Sequence, residues 1–261
     1  MDGFSGFRSN KRLGQVFLIS ERVAEIEAAH AEGKRVLEIG PGQGILTRAL
    51  CLQAEKVIAI EKDFRIYTIL KHEMNAKNLV LINKDFMEVT DKEIGIGDID
   101  IVISNIPYNL SSSVIGWLSE KHMQAVLCLQ KEFVEHMLAR PDTSSYSKLS
   151  VMTSLLFRVT KIVNVPKGSF RPVPKVDSVV IYMKPIREPF RNGEGELIGL
   201  IMQHKKKTVR NAIIDSKSAL DMDKNQIGEI ADRISKKDHR VFKLSPEEIL
   251  DTARELALLL K

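Results

Sequence analysis

The stretch "SNIPYN", Ser104 to Asn109, sets an asparagine, a proline and a tyrosine between an aliphatic run, "IDIVI", and a serine cluster that reads as a helix start. An aromatic amine is a poor nucleophile because its lone pair is delocalised into the ring. Two acceptors, the Asn105 side-chain oxygen and a backbone carbonyl near Ile106–Pro107, can bind its two hydrogens and favour a pyramidal nitrogen. Pro107 has a fixed φ and no N–H, so it can hold such a loop rigid. Tyr108 offers a face on which an extruded base can stack. Taken alone, N-x-P-Y is equally a turn with a packed tyrosine.

Other strand ends carry matching features. "VLEIGPGQGILT", Val36 to Thr47, runs from a strand through Gly40, Gly42 and Gly44 into a helix. The dinucleotide fingerprint needs glycine at position 45, where Ile45 stands, so a pyrophosphate ligand is disfavoured. The loop fits that of S-adenosylmethionine-dependent methyltransferases, whose cofactor has no phosphates; a glycine turn without a ligand is the alternative. Glu61 ends "VIAIEKD", where an acid can accept from both hydroxyls of a ribose. Asp85 ends "LINKDF", where a carboxylate can accept from the exocyclic amine of an adenine. A lone acid at a strand end is ordinarily a solvated loop residue. Glycine loop, Glu61 and Asp85 follow three successive strands, however, and so share one carboxyl edge of a sheet, where open α/β folds bind ligands. Together they point to an adenosine-containing cofactor, with Asn105 following a fourth strand on the same edge.

The elements that must position these residues are legible as short aliphatic runs: "RVLEI" (35–39), "KVIAIE" (56–61), "LVLI" (79–82), "DIVIS" (100–104) and "AVLCLQ" (125–130). Near-continuous apolar runs predict strands buried on both faces of a parallel sheet. Helical periodicity fills 20–32, 44–54, 63–76, 111–121 and 131–139. The alternation predicts right-handed βαβ units and a doubly wound, Rossmann-like α/β domain. "LSVMTSLLF" reads as a further helix, and "RVTKIVNV" and "SVVIYMKP" as closing strands. After Pro185 a polar stretch with Pro and Gly reads as a linker, followed by helical patterns alone at 194–204, 205–218, 224–236 and 246–260. Ser245 before "PEE" is a strong helix start. The expected organisation is a catalytic domain over 1–185 and a small helical domain over 186–261.

Of the 261 residues, 44% are hydrophobic and 28% charged, as in ordinary soluble globular chains. No apolar run is long enough to span a membrane, and the polar, basic start lacks the apolar core of a secretory signal. The two cysteines, Cys51 and Cys128, have no ligand-like neighbours, which disfavours a zinc site or a disulfide framework and fits a reducing cytoplasm. A net charge of +5 hints at a polyanionic partner.

Six ordered motifs carry a specific resemblance: "KRLGQVFL" (11–18), "EIGPGQG" (38–44), "NIPYNLSS" (105–112), "QKEF" (130–133), "SKLSVM" (147–152) and "FRPVPKVDSVV" (170–180). With "QHKKKTVRNAI" (203–213), the chain resembles the KsgA-type small-subunit ribosomal RNA adenine dimethyltransferases along nearly its whole length. The resemblance implies a class I methyltransferase domain with a seven-stranded, mostly parallel sheet and a small C-terminal all-helical domain. It implies transfer of methyl groups from S-adenosylmethionine to two adjacent adenines near the 3′ end of small-subunit rRNA, two on each amine. It further implies cofactor contacts at Val16, Leu18, Gly40, Glu61, Asp85, Phe86 and Asn105, and a transfer site of Asn105, Pro107 and Tyr108. Phe170 becomes a second wall for the flipped base. Val16 departs from the pattern, because relatives often place a polar Asn or His there; the contact it makes is reduced to backbone and van der Waals contact.

RNA binding has its own candidates: Arg8, Lys11 and Arg12 in a basic arm over 1–19, and Lys205, Lys206, Lys207 and Arg210 in the helical region. Lys236, Lys237 and Arg240 form another basic group. From Pro185 onward 15 Lys and Arg face 13 Asp and Glu, so local clustering rather than net charge suggests phosphate contacts. The expected partner is small-subunit rRNA in a pre-ribosomal particle, with no membrane, no metal and a monomer as the default. Two rival readings stand beside this one: an adenine methyltransferase acting on large-subunit rRNA, as in the related antibiotic-resistance methylases, and an assembly factor whose binding role dominates.

Overall fold

The structure is a computed structural model that describes residues 15–191 and 193–260. In chain order, β1 (Phe17–Leu18), α1 (Glu21–Ala28), β2 (Arg35–Ile39), α2 (Ile45–Gln53), β3 (Lys56–Glu61), α3 (Phe64–Glu73) and β4 (Leu79–Asn83) come first. Next are α4 (Asp91–Ile94), β5 (Ile101–Ser104), α5 (Ser111–Lys121), β6 (Ala125–Gln130), α6 (Lys131–Met137) and α7 (Lys148–Leu156). Strands β7 (Phe157–Val165), β8 (Phe170–Arg171) and β9 (Ser178–Pro185) precede α8 (Glu194–Gln203), α9 (Val209–Asp215), α10 (Lys224–Asp232) and α11 (Pro246–Leu259).

Seven strands form one sheet in the order β4-β3-β2-β5-β6-β9-β7. Strands β4, β3, β2, β5 and β6 pair in parallel, and β9 joins β6 antiparallel. Val36, Leu37, Val57, Ile101, Ile103 and Val126 have no accessible surface. That burial explains the unbroken apolar runs, each such side chain contributing about 1.5–3 kcal/mol. Strand order reverses between β2 and β5, so the loops leaving these neighbours splay apart and open a crevice at their carboxyl ends. The glycine loop follows β2 and "NIPYN" follows β5.

Local chemistry fixes the helix starts. Ser20 Oγ accepts from Val23 N at 3.4 Å to cap α1, and Asp63 Oδ1 accepts from Arg65 N at 3.0 Å to cap α3. Ser245 and Glu248 form a capping box on α11, with Pro246 in the first turn. The short ribbon of β1 and β8 is antiparallel and pairs Leu18 with Phe170.

Two compact units emerge, and their boundary differs from the sequence-based expectation. The first comprises 15–132 with 159–184, the second 133–158 with the chain from Pro185 onward. The segment 133–158 therefore belongs with the helices rather than within a 1–185 domain. Its apolar face explains why: Val151, Leu155 and Leu156 are buried, and α7 packs on α8 and α11. Buried Tyr146 donates from its hydroxyl to Leu244 O at 3.0 Å, and Asp142 N donates to Phe242 O at 2.8 Å. The helical pattern predicted over 205–218 contracts to α9, because residues 204–207 form a turn and Thr208 caps the helix.

Candidate active site

The loop after β2 is shaped by glycine. Gly40 has φ +71° and donates to Ile60 O at 2.8 Å, and a Cβ built there would lie 3.4 Å from Pro107 Cδ. The glycine loop and the "NIPYN" loop thus pack directly on each other. Gly42 has φ +54°, and a Cβ there would approach Phe17 Cδ1 to 2.9 Å, so β1 lies over this loop. One cavity at this edge is lined by Val16, Leu18, Gly40, Glu61, Asp85, Phe86 and Asn105. All seven positions expected to meet a cofactor are therefore brought together.

Glu61 is 6% exposed, and its Oε1 accepts from Asp63 N at 2.7 Å. Burial raises its carboxyl to about 7, against the lowering influence of the Asp63, Gly42 and Lys62 backbone N–H groups. Asp85 caps the turn Phe86–Glu88, its Oδ1 accepting from Met87 N at 3.0 Å, and Oδ2 pairs with the Lys62 ammonium. That hydrogen-bonded pair holds the Asp85 carboxyl below its usual range. Phe86 is buried and meets Trp117 edge-on at 5.1 Å.

A second, smaller cavity adjoins the same asparagine and is lined by Val16, Asn105, Pro107, Tyr108, Cys128 and Phe170. Asn105 lines both cavities, so it stands at their junction. Among the described residues its Oδ1 is buried without a hydrogen-bond partner, whereas Nδ2 donates to Glu27 Oε2 at 3.0 Å. The Tyr108 hydroxyl lies 3.1 Å from Ser178 Oγ, which anchors the ring, and burial raises the phenol. Phe170 is 3% exposed and reaches this cavity from β8.

Glu27 and Ser178 escaped sequence reasoning. Glu27 sits on the α1 face that also buries Val23, Ala24 and Ala28, so an acid on an apolar stripe was its only signal. Burial is the main cause that raises its carboxyl to about 8, and the same holds for Glu38 on β2. Ser178 opens β9 with no accessible surface, and nothing in its neighbours announces a role.

The basic candidates divide differently. Arg8, Lys11 and Arg12 lie outside the described residues. Lys205 donates to Ser144 O at 2.9 Å and to Tyr146 O at 2.5 Å, Lys207 pairs with Asp215, and Arg210 pairs with Asp232 at 2.7 Å. Lys206, Lys207 and Arg210 share a surface depression in the helical unit with Lys224 and Arg240. Lys205 is thus a structural strut, and Lys224 is the cation that clustering in the sequence did not reveal.

Comparison with known proteins agrees with this architecture. The family model described as ribosomal RNA adenine dimethylase matches residues 6–258. A probable ribosomal RNA small subunit methyltransferase A of Methanopyrus kandleri is 38% identical over 260 residues, covering 95% of this chain and 92% of that protein. Its counterpart in Thermococcus onnurineus is 40% identical over 253 residues, covering 94% and 91%. Among solved structures, a dimethyladenosine transferase from Plasmodium falciparum superposes with a TM-score of 0.74 at 27% identity, covering 90% of this chain and 95% of that one. The 23S rRNA methyltransferase ErmE, at 24% identity and a TM-score of 0.60, shares the fold over 92% of this chain and 99% of its own. The match along nearly the whole chain, together with the shared fold, places the chain in the ribosomal RNA adenine dimethylase family.

Proposed function

We propose that this chain methylates the exocyclic amines of two adjacent adenosines near the 3′ end of small-subunit rRNA, within a pre-ribosomal particle in the cytoplasm, using S-adenosylmethionine. The observation that carries this reading is the buried Asn105 Oδ1, without a partner among the described residues, where two cavities meet. A buried acceptor without a partner costs about 1–3 kcal/mol, and an incoming amine hydrogen would recover that loss.

The residues present fit the cofactor. Gly40 and Gly42 adopt conformations that L side chains rarely take, and at Gly42 a Cβ would crowd Phe17, so the backbone itself forms the cradle. Glu61 would hold the ribose hydroxyls, while Asp85 and Phe86 would meet the adenine. Val16 and Leu18 supply apolar wall. When bound, S-adenosylmethionine supplies an electrophilic methyl group on a cationic sulfur.

The acceptor side follows from the chain's own groups. Asn105 Oδ1 would accept one hydrogen of the target amine and the backbone near Ile106–Pro107 the other, turning the nitrogen lone pair out of conjugation. Tyr108, tethered through Ser178, and Phe170 would flank the extruded base. Positioning of this kind supplies rate without general acid–base chemistry. Phosphate contacts would come from Arg8, Lys11, Arg12, Lys206, Lys207 and Arg210, with Lys224 and Arg240 beside the last three.

The test is transfer of label from S-adenosylmethionine to unmethylated small subunits, large subunits and naked rRNA. Dimethyladenosine at two neighbouring small-subunit positions is expected; label on large-subunit RNA alone would refute the proposal.

Cofactor affinity should also depend on pH. Two ribose hydroxyls donate, so Glu61 must be a carboxylate to accept from both. Its carboxyl lies at about 7, so protonation competes with binding below that pH. The Kd for S-adenosylmethionine should tighten about tenfold between pH 6 and 8 and level off above. Calorimetric titration across this range checks it, and Glu61→Gln should bind weakly with a flat profile.

A further inference from the structure

Glu27 has no accessible surface and belongs to none of the motifs at the crevice. Its Oε2 accepts from Asn105 Nδ2 at 3.0 Å across 78 residues of sequence, while its Oε1 has no partner among the described residues. The Asn105 amide is thus gripped at its nitrogen, and its oxygen is left buried and bare toward the two cavities it lines.

This direction matters because the two ends of an asparagine amide are nearly the same shape and opposite in hydrogen-bonding character. An ungripped amide could turn over and present N–H to the amine, pushing away the hydrogens it should bind. We propose that Glu27 is a positioning residue for methyl transfer: its carboxyl oxygen holds the Asn105 nitrogen away from the substrate and keeps Oδ1 as the acceptor for the target amine. The proposal rests on the reading of Asn105 given above and adds a residue on α1 that touches neither substrate nor cofactor.

The surroundings of Glu27 suit that task. Glu38 faces it from β2 and Cys128 from β6, and neither brings a positive charge. Burial keeps the carboxyl largely neutral at pH 7, and because Oε2 accepts from Asn105 Nδ2 the acid's hydrogen belongs on Oε1. The remaining buried residues of this α1 face are Val23, Ala24 and Ala28, so a leucine would suit the face as well as an acid does. An acid buried on a face where an apolar side chain would pack points to a role other than packing.

Two readouts separate this role from a packing role. In the free protein labelled with 15N, the Asn105 side-chain amide signals, identified by their loss in Asn105→Ala, should move with pH around 8. That movement should be largely lost in Glu27→Gln. In steady-state transfer to small subunits, Glu27→Leu should lower kcat ten- to a hundredfold with KM for S-adenosylmethionine within twofold. Its melting temperature should fall by only a few degrees, because the Asn105 nitrogen loses its partner while a buried carboxyl is removed. Glu27→Gln, which keeps an acceptor opposite the Asn105 nitrogen, should restore kcat to within threefold. A Glu27→Leu kcat within twofold of the unaltered chain overturns the proposal, as do Asn105 signals indifferent to Glu27. Should Glu27→Leu fail to fold, the amide signals and Glu27→Gln still decide. If the unaltered chain transfers no methyl to RNA, the proposed function fails instead, and the amide signals alone judge the orientation.

Discussion

Asn105→Ala should cut the rate of methyl transfer to small-subunit RNA by about 10²–10³-fold, the scale on which one preorganised dipole aimed at developing charge acts. The amine is neutral in the bound state and becomes cationic only as the new bond forms. An acceptor on its hydrogens is therefore stronger in the transition state than before it, and the loss belongs in kcat rather than KM. Single-turnover measurements with saturating cofactor would isolate it. The variant also strips Glu27 of its partner, leaving a buried carboxyl with both oxygens bare. That costs about 1–3 kcal/mol of stability, so melting curves must accompany the kinetics. Retention of more than a tenth of the rate by a folded Asn105→Ala would remove this residue from the reaction.

Gly44→Ala carries the second large effect, on stability. Gly44 is the N-cap of α2 at φ +75°, where a Cβ costs roughly 1–2 kcal/mol in backbone strain. That Cβ would also lie 2.7 Å from Leu70 Cδ2 and 3.2 Å from Met74 Sδ. Leu70 has no accessible surface and cannot swing aside, so overpacking adds about 1–3 kcal/mol. The sum, about 2–5 kcal/mol, predicts a melting temperature lower by roughly 4–20 °C. Gly33→Ala is the control: φ is +64°, but among the described residues nothing lies within 4 Å of the added carbon, so strain acts alone. Equal losses in the two variants would refute the overpacking account.

The sheet and the crevice were readable because both leave strong marks in composition. β2, β3 and β6 run over the very residues of "RVLEI", "KVIAIE" and "AVLCLQ", since burial on both faces admits no polar interruption. The residues at the carboxyl ends stand out for the opposite reason, as polar and aromatic groups follow each apolar run. β1 and β8 span two residues each, too few for any periodicity to show. α4 did carry a signal, the "TDKE" in which Thr90 and Glu93 form a capping box, but four residues offered no apolar stripe to support it. Glu27 was illegible because its meaning lies in a hydrogen bond to a residue 78 positions away. The allegiance of 133–158 was equally hidden: the apolar face of α7 reads the same whether a sheet or two helices will cover it.

The two-segment make-up of the helical unit has a consequence for how the chain is made. While the ribosome is still synthesising the protein, α7 emerges about 100 residues before α11 is complete, some 5–20 s at ordinary elongation rates. Through that interval the buried face with Val151, Leu155 and Leu156 lacks the cover of α11, which makes this stretch the natural client of a chaperone. By the same logic a fragment ending at Pro185 is expected to be sticky and poorly soluble, whereas supplying the peptide 186–261 in trans should rescue it, a result that light scattering during mixing would reveal. A cut placed where the composition changes would sever the second unit through its own core.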